Sequence, residues 1–166
     1  NIIMTVGHSA RLLKGIQMMK EYLDNGSLGK LAFIEANFSN ERALELTPDT
    51  WRWYRDRAPG GPLSQLAIHM FDILHYLGGD VDGVSSIASK LSPVGAEVDD
   101  QSMSTVRFKN GVVGYVGSCW TSPGIFSTRV FAQAGLMHFE LDFASWDEPE
   151  NLHKSSSLYI QRGKDG

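Results

Sequence analysis

The order of elements along these 166 residues predicts an α+β fold: an open-faced, mostly antiparallel sheet with helices packed on one face. Three features carry that expectation. Helical periodicity appears twice in the first half of the chain, strand-type alternation fills the second half, and an Asn-Gly pair between two alternating runs marks a hairpin.

The first element, "IIMTV" at 2–6, is apolar and β-branched and reads as a short buried strand. Leu12, Ile16, Met19 and Leu23 then recur at helical spacing and form one face of an amphipathic helix. "DNGSLG" ends it, with Gly26 able to turn left-handed past the last turn and Leu28 able to fold back on the helix. "KLAFIEANFSN" alternates as a strand, Ala32, Ile34, Ala36 and Phe38 on one side and Phe33, Glu35, Asn37 and Ser39 on the other. Residues 41–60 have no sustained period and contain "WRWYRDRAPGG", a loop dense in aromatics and arginine. A helix follows over 61–78, and "VDGVSSIASKL" is the next strand. "QSMSTVRF" and "VVGYVGSCW" flank Lys109-Asn110-Gly111 as a hairpin. "STRVFAQAG" and "LMHFELDF" make a second pair turning near Gly135, and "SSLYIQR" is the last strand. The face of the sheet away from the helices would carry Val113, Tyr115 and Cys119, which suits covering by another subunit.

Composition is that of one ordinary globular domain, 42% hydrophobic and 20% charged. The net charge of -4, with lysine and arginine scattered, argues against a nucleic-acid or anionic-membrane surface. The single cysteine, Cys119, excludes an intrachain disulfide and every cysteine-cluster metal site, and it fits a reducing, cytoplasmic setting. No apolar run approaches the ~20 residues of a membrane span. His8, Glu35, His75, His138 and His153 show no metal-ligand spacing, so no metal is expected. The chain opens in mid-strand and stops with no closing helix, which suggests a fragment of a longer protein.

The helix at 61–78 is the most informative segment. At 100° per residue Leu63, Leu66, Met70, Ile73, Leu74 and Leu77 fall in one arc, the core stripe. Gln65, His69, Asp72 and Tyr76 fall in a narrow arc nearly opposite, and the helix has no lysine or glutamate. A solvated face would carry several, so the polar stripe is expected to line a semi-enclosed cleft. Two readings stay open. His69 is a core histidine whose ring nitrogens are satisfied by Asp72 and Gln65, or the same contacts fix its tautomer and leave one nitrogen free for substrate protons. The Gly-Gly-Pro start lets another chain or a ligand approach the backbone closely. In the preceding loop, Trp51, Trp53 and Tyr54 present flat faces suited to a sugar or cyclitol ring, and Arg52 can donate to hydroxyls or a carboxylate; aromatics pinning the loop to its own core are the competing reading.

"VGHSARLLKGIQMMKEYLDNGSLGKLAFIEANFS", "WRWYRDRAPGGPLSQLAIHMFDILHYLGG" and the strand-rich tail with "FKNGVVGYVGS" together resemble the Gfo/Idh/MocA oxidoreductases, over nearly the whole chain and in the right order. The resemblance implies a two-domain enzyme. Residues 1–8 would be the last part of a Rossmann domain, and 9–166 most of a C-terminal domain for substrate and oligomer contacts. It places His69 on the family's active-site histidine and Gln65 where many members have aspartate. Asp72 falls on the "H..D" aspartate, read as structural support, and Arg11 on an arginine that contacts substrate or cofactor, or bridges domains.

The implied function is an NAD(P)-dependent oxidoreductase moving a hydride between nicotinamide and a hydroxyl or keto carbon of a sugar, cyclitol or related polyol. His69 is its catalytic candidate, acting with a lysine upstream of this chain. Gln65, Arg11, Trp51, Arg52 and Tyr54 are the substrate-binding candidates. NAD or NADP would be bound mainly by the N-terminal domain, since no G-x-G-x-x-G occurs here, and the fragment alone is expected to be inactive. A homodimer or homotetramer through the open sheet face is implied. The alternative is a non-catalytic sugar- or nucleotide-sensing protein on the same scaffold.

Overall fold

The alternation in "LAFIEANFS" becomes β1 (Leu31–Ser39), the central strand of a seven-stranded sheet. A computed structural model describes residues 2–142 and 151–163. The remaining strands are β2 (Val81–Ser89), β3 (Gln101–Phe108), β4 (Val113–Cys119), β5 (Ile125–Ala132), β6 (Gly135–Leu141) and β7 (Ser156–Arg162). They lie in the order β2-β3-β4-β1-β5-β6-β7. β1 and β4 run parallel and every other pairing is antiparallel. Phe143, the end of a run read as a strand, and the His153 side chain lie outside what is described.

Side chains alternate across the sheet as the period of two requires. Ile34, Ala36 and Phe38 of β1, Val106 and Phe108 of β3, Val116 of β4, Phe126 and Val130 of β5, and Met137 and Phe139 of β6 are buried on the inner face. Against them lie α1 (Lys14–Asp24) and α2 (Ile68–Gly78), packed on each other. Ile16 and Met19 of α1 and Met70, Ile73, Leu74 and Leu77 of α2 complete the core. At the end of α1, Gly26 takes a left-handed φ of 71° and Leu28 is fully buried, as the C-terminal signal predicts. Among the described residues nothing covers the opposite face. It presents Phe33, Tyr115 and Phe131 in ring contact, with Ile87, Met103 and Val113 exposed.

Three local expectations are corrected. Residues 2–6 form no strand: Ile2, Ile3, Met4 and Val6 are exposed, and no described strand lies beside them to complete a ladder. Leu12 sits outside α1 in a 3-10 turn (Ser9–Leu12) and is 67% exposed, so the buried stripe of the helix starts at Ile16. The helix read over 61–78 begins as a π-helical turn (Leu63–Ala67) and becomes α-helical at Ile68. Wide turns of this kind recur at functional sites, and this one carries Gln65. Among the described residues no helix is long and apolar enough to cross a membrane.

Candidate functional site

The polar stripe of α2 meets three other segments near the end of β1. His69 is half-buried; its ring lies 6.1 Å from that of Phe38 and edge-on to His8 at 5.9 Å between centroids. Gln65, Asp72 and Tyr76 are half-buried as well, which is the semi-enclosed setting the missing lysines imply.

The contacts within the stripe differ from both sequence readings. Asp72 does not serve His69: it takes a two-pronged ion pair from Arg11, Nε to Oδ2 at 2.8 Å and Nη2 to Oδ1. The fork of a guanidinium matches a carboxylate better than a single imidazole N–H does, so the cation from the chain's first turn takes the aspartate. The pair raises the Arg11 pKa further, through the hydrogen bond to Asp72, and the guanidinium rests 5.1 Å over the ring of Tyr76. Gln65 faces the other way and accepts a long hydrogen bond from Arg52 Nε at 3.4 Å. The Nδ1 of His69 is therefore buried with no partner, and so is the Nδ1 of His8. Burial first, then the proximity of His8, push the His69 pKa below its ordinary 6.5, with Asp72 opposing weakly. At neutral pH the imidazole is uncharged and can accept a proton.

The glycine start of the helix serves its own chain. Gly61 has φ 49°, and a Cβ there would overlap the carbonyl oxygen of Asp99. The close approach expected of a ligand or partner is made by the loop before β3. That loop is fixed by Asp100, which accepts backbone N–H bonds from Leu91 at 3.0 Å and Ser92 at 2.8 Å.

The aromatic loop divides between the two readings. Trp53 packs against the core and beneath Gly95, and its carbonyl accepts from the Glu97 N–H. Arg55 donates to the Glu97 carbonyl through Nε and Nη2. These contacts pin the loop. Trp51 remains 43% exposed with the guanidinium of Arg52 stacked 4.4 Å from its ring. Tyr54 donates its hydroxyl to the Pro48 carbonyl and carries Arg57 over its ring at 4.8 Å.

Beside the stripe, Val6, Gly7, His8, Ser9, Arg11, Leu12 and Asp72 line an open groove of about 480 Å³. His8 was absent from the candidate site residues. His8 closes the "VGH" segment that carried the resemblance, but only tertiary packing shows that it meets His69. Among the described residues, no group of three His, Cys, Asp or Glu side chains is arranged to hold a metal ion.

A family model, the GFO/IDH/MocA C-terminal domain, matches residues 16–138. The chain belongs to this family. Levoglucosan dehydrogenase of Pseudarthrobacter phenanthrenivorans is 26% identical over 139 residues, covering 70% of this Gfo/Idh/MocA chain and 36% of that protein. A solved structure from Desulfitobacterium hafniense, named as an NADPH-dependent oxidoreductase, matches with a TM-score of 0.89 at 35% identity, over 97% of this chain and 46% of that one. Levoglucosan dehydrogenase in complex with NADH and levoglucosan shares the fold, with a TM-score of 0.77 at 22% identity, over 98% of this chain and 47% of that one. The chain thus spans a little over a third of the curated relative and under half of each solved chain.

Proposed function

We propose that this chain is the substrate-side domain of a longer NAD(P)-dependent oxidoreductase acting on a sugar, cyclitol or related polyol, with His69 handling the proton of the reacting hydroxyl. The supporting observation is the state of His69: half-buried, uncharged near neutral pH, and holding a buried Nδ1 without a partner. Nδ1 is shut off from solvent, so Nε2 is the nitrogen left to meet a substrate hydroxyl.

Residues 1–8 are assigned to the end of the Rossmann half, which would cover the exposed Ile2, Ile3 and Val6. The residues present fit the reactive end of the cofactor and not its phosphates. His8 and Arg11, lining the groove beside His69, are the groups that would face a nicotinamide, while no glycine fingerprint occurs to cradle a pyrophosphate. A bound nicotinamide supplies the hydride acceptor or donor. The part of His69 is to take the hydroxyl proton when the substrate is oxidised and to return it when the carbonyl is reduced. Arg11, locked by Asp72 and lying over Tyr76, holds one wall of the groove in place. The open sheet face is assigned to a second copy of the chain, since Ile87, Met103 and Val113 would otherwise leave apolar surface in water.

A second reading, a sugar- or nucleotide-sensing protein, draws on Gln65, which stands where the resemblance places an aspartate in many members and cannot act as a base. The deciding experiment is to incubate the full-length protein with NAD+ or NADP+ and a panel of sugars and cyclitols. Cofactor reduction with at least one of them is expected. Ligand binding without any reduction would favour the sensor.

A further inference from the structure

The charge around the His69 stripe does not balance. Arg11 is neutralised by Asp72. Arg52 and Arg42 have no carboxylate within ion-pair distance among the described residues, although both belong to the segment between β1 and α2. Arg55 is consumed by the Glu97 carbonyl and Arg57 lies over Tyr54, so Arg52 is the guanidinium of this loop that is both half-buried and unneutralised. Its plane is set by stacking on Trp51, and among the described residues one long hydrogen bond to Gln65 is its polar contact. Burial, and then the like charge of Arg42, pull its pKa below the ordinary guanidinium value while it stays protonated.

Gln65 gives this imbalance a purpose. A carboxylate at position 65, this close to Arg52, would pair with it and quench its charge. Glutamine orients the guanidinium through Oε1 without neutralising it, and leaves the terminal nitrogens of the fork free. Gln65 stands four residues before His69, in the π-helical turn that opens α2, so the residue that orients the fork and the base belong to consecutive turns of one helix.

Resting on the oxidoreductase reading above, we propose that the substrate is an anionic polyol whose carboxylate or phosphate ester is seated on Arg52, while its reacting hydroxyl reaches His69. Trp51 and Gln65 act as positioning residues for that fork.

The test uses the full-length protein and matched probes: glucose, glucuronate and glucose 6-phosphate, and the corresponding galactose set, each with NAD+ and NADP+. An anionic member is expected to exceed its neutral parent in kcat/KM by roughly ten- to a hundredfold, the range for a hydrogen-bonded charged group. The uronate and phosphate arms identify which anion is taken. Within one variant, Arg52→Gln should collapse the anion-to-neutral ratio towards unity, and Arg52→Lys should retain part of it. Because the readout is a ratio in a single preparation, a general loss of folding does not mimic the result. Turnover of neutral sugars without preference, or a preference that survives Arg52→Gln, overturns the proposal and leaves the oxidoreductase reading standing. If no compound reduces the cofactor, that reading falls, and calorimetric binding of the same compounds decides the arginine proposal. Anion binding lost in Arg52→Gln upholds it; no anion binding by the unmodified protein overturns it as well.

Discussion

Asp100 is buried yet ionised, and it shows how single side chains hold this site. Burial alone would raise its pKa, but hydrogen bonds from Ser92 and Leu91 and the charge of Lys90 outweigh that and hold it below the usual carboxylate value. A depressed carboxylate pKa contributes stability that is complete above the unfolded value near 3.9 and is lost as pH falls through the folded one. Asp100→Asn should therefore cost about 1.5–3 kcal/mol by urea unfolding at pH 7, and the gap to the unmodified protein should narrow near pH 3. Equal stability at pH 7 would show that the loop stands without this anchor. Nothing in the string "EVDDQS" announced the role, because its partners are Leu91 and Ser92, in the loop that precedes it. His69 was legible for the opposite reason: helical spacing alone put it on the polar stripe. Its neighbours were not, since the partner of Asp72 comes from Arg11, 61 residues away.

At the scale of elements, periodicity located α1, α2 and the hairpins because their apolar faces meet one common core. It failed where an element depends on something periodicity does not encode. The run at 2–6 has strand composition but no described neighbour to pair with. The start of the second helix widens to a π-turn where Gly61 passes under the Asp99 carbonyl, a close approach set by the loop that Asp100 fixes. The Gly61 carbonyl also accepts from the Gln65 N–H at 3.2 Å, which ties the start of the helix to this approach. Gly61→Ala combines a strained left-handed φ with a backbone overlap, so it should lower stability by about 1–3 kcal/mol. Full-length protein carrying it should lose kcat/KM as well, because the helix start must move. An unchanged unfolding midpoint together with unchanged kinetics would show that the helix start is not held here.

Across the whole molecule, helices pack on one face of the sheet and no described residue covers the other, and the second bears most on assembly. Ile87 is 70% and Met103 53% exposed on paired positions of β2 and β3. The full-length protein should sediment as a dimer or larger at micromolar concentration, and Ile87→Lys with Met103→Glu should shift it to monomer with little loss of stability. A strictly monomeric unmodified protein would contradict this assignment. The fold class was readable from the order of strands and helices, but the coupling of the N-terminal segment to α2 through Arg11, His8 and His69 belongs to tertiary structure. The most direct test of that coupling is the pH dependence of kcat/KM for full-length protein with and without His69→Ala, in the direction of hydroxyl oxidation. The His69 pKa lies below 6.5 in the fold, so activity should hold at neutral pH and fall on an acid limb below 6.5 as the imidazole protonates. His69→Ala should lower the plateau by about 10²–10⁴, abolish that limb, and leave the unfolding midpoint close to that of the unmodified protein. A stable His69→Ala protein with undiminished turnover and the same acid limb would contradict the account.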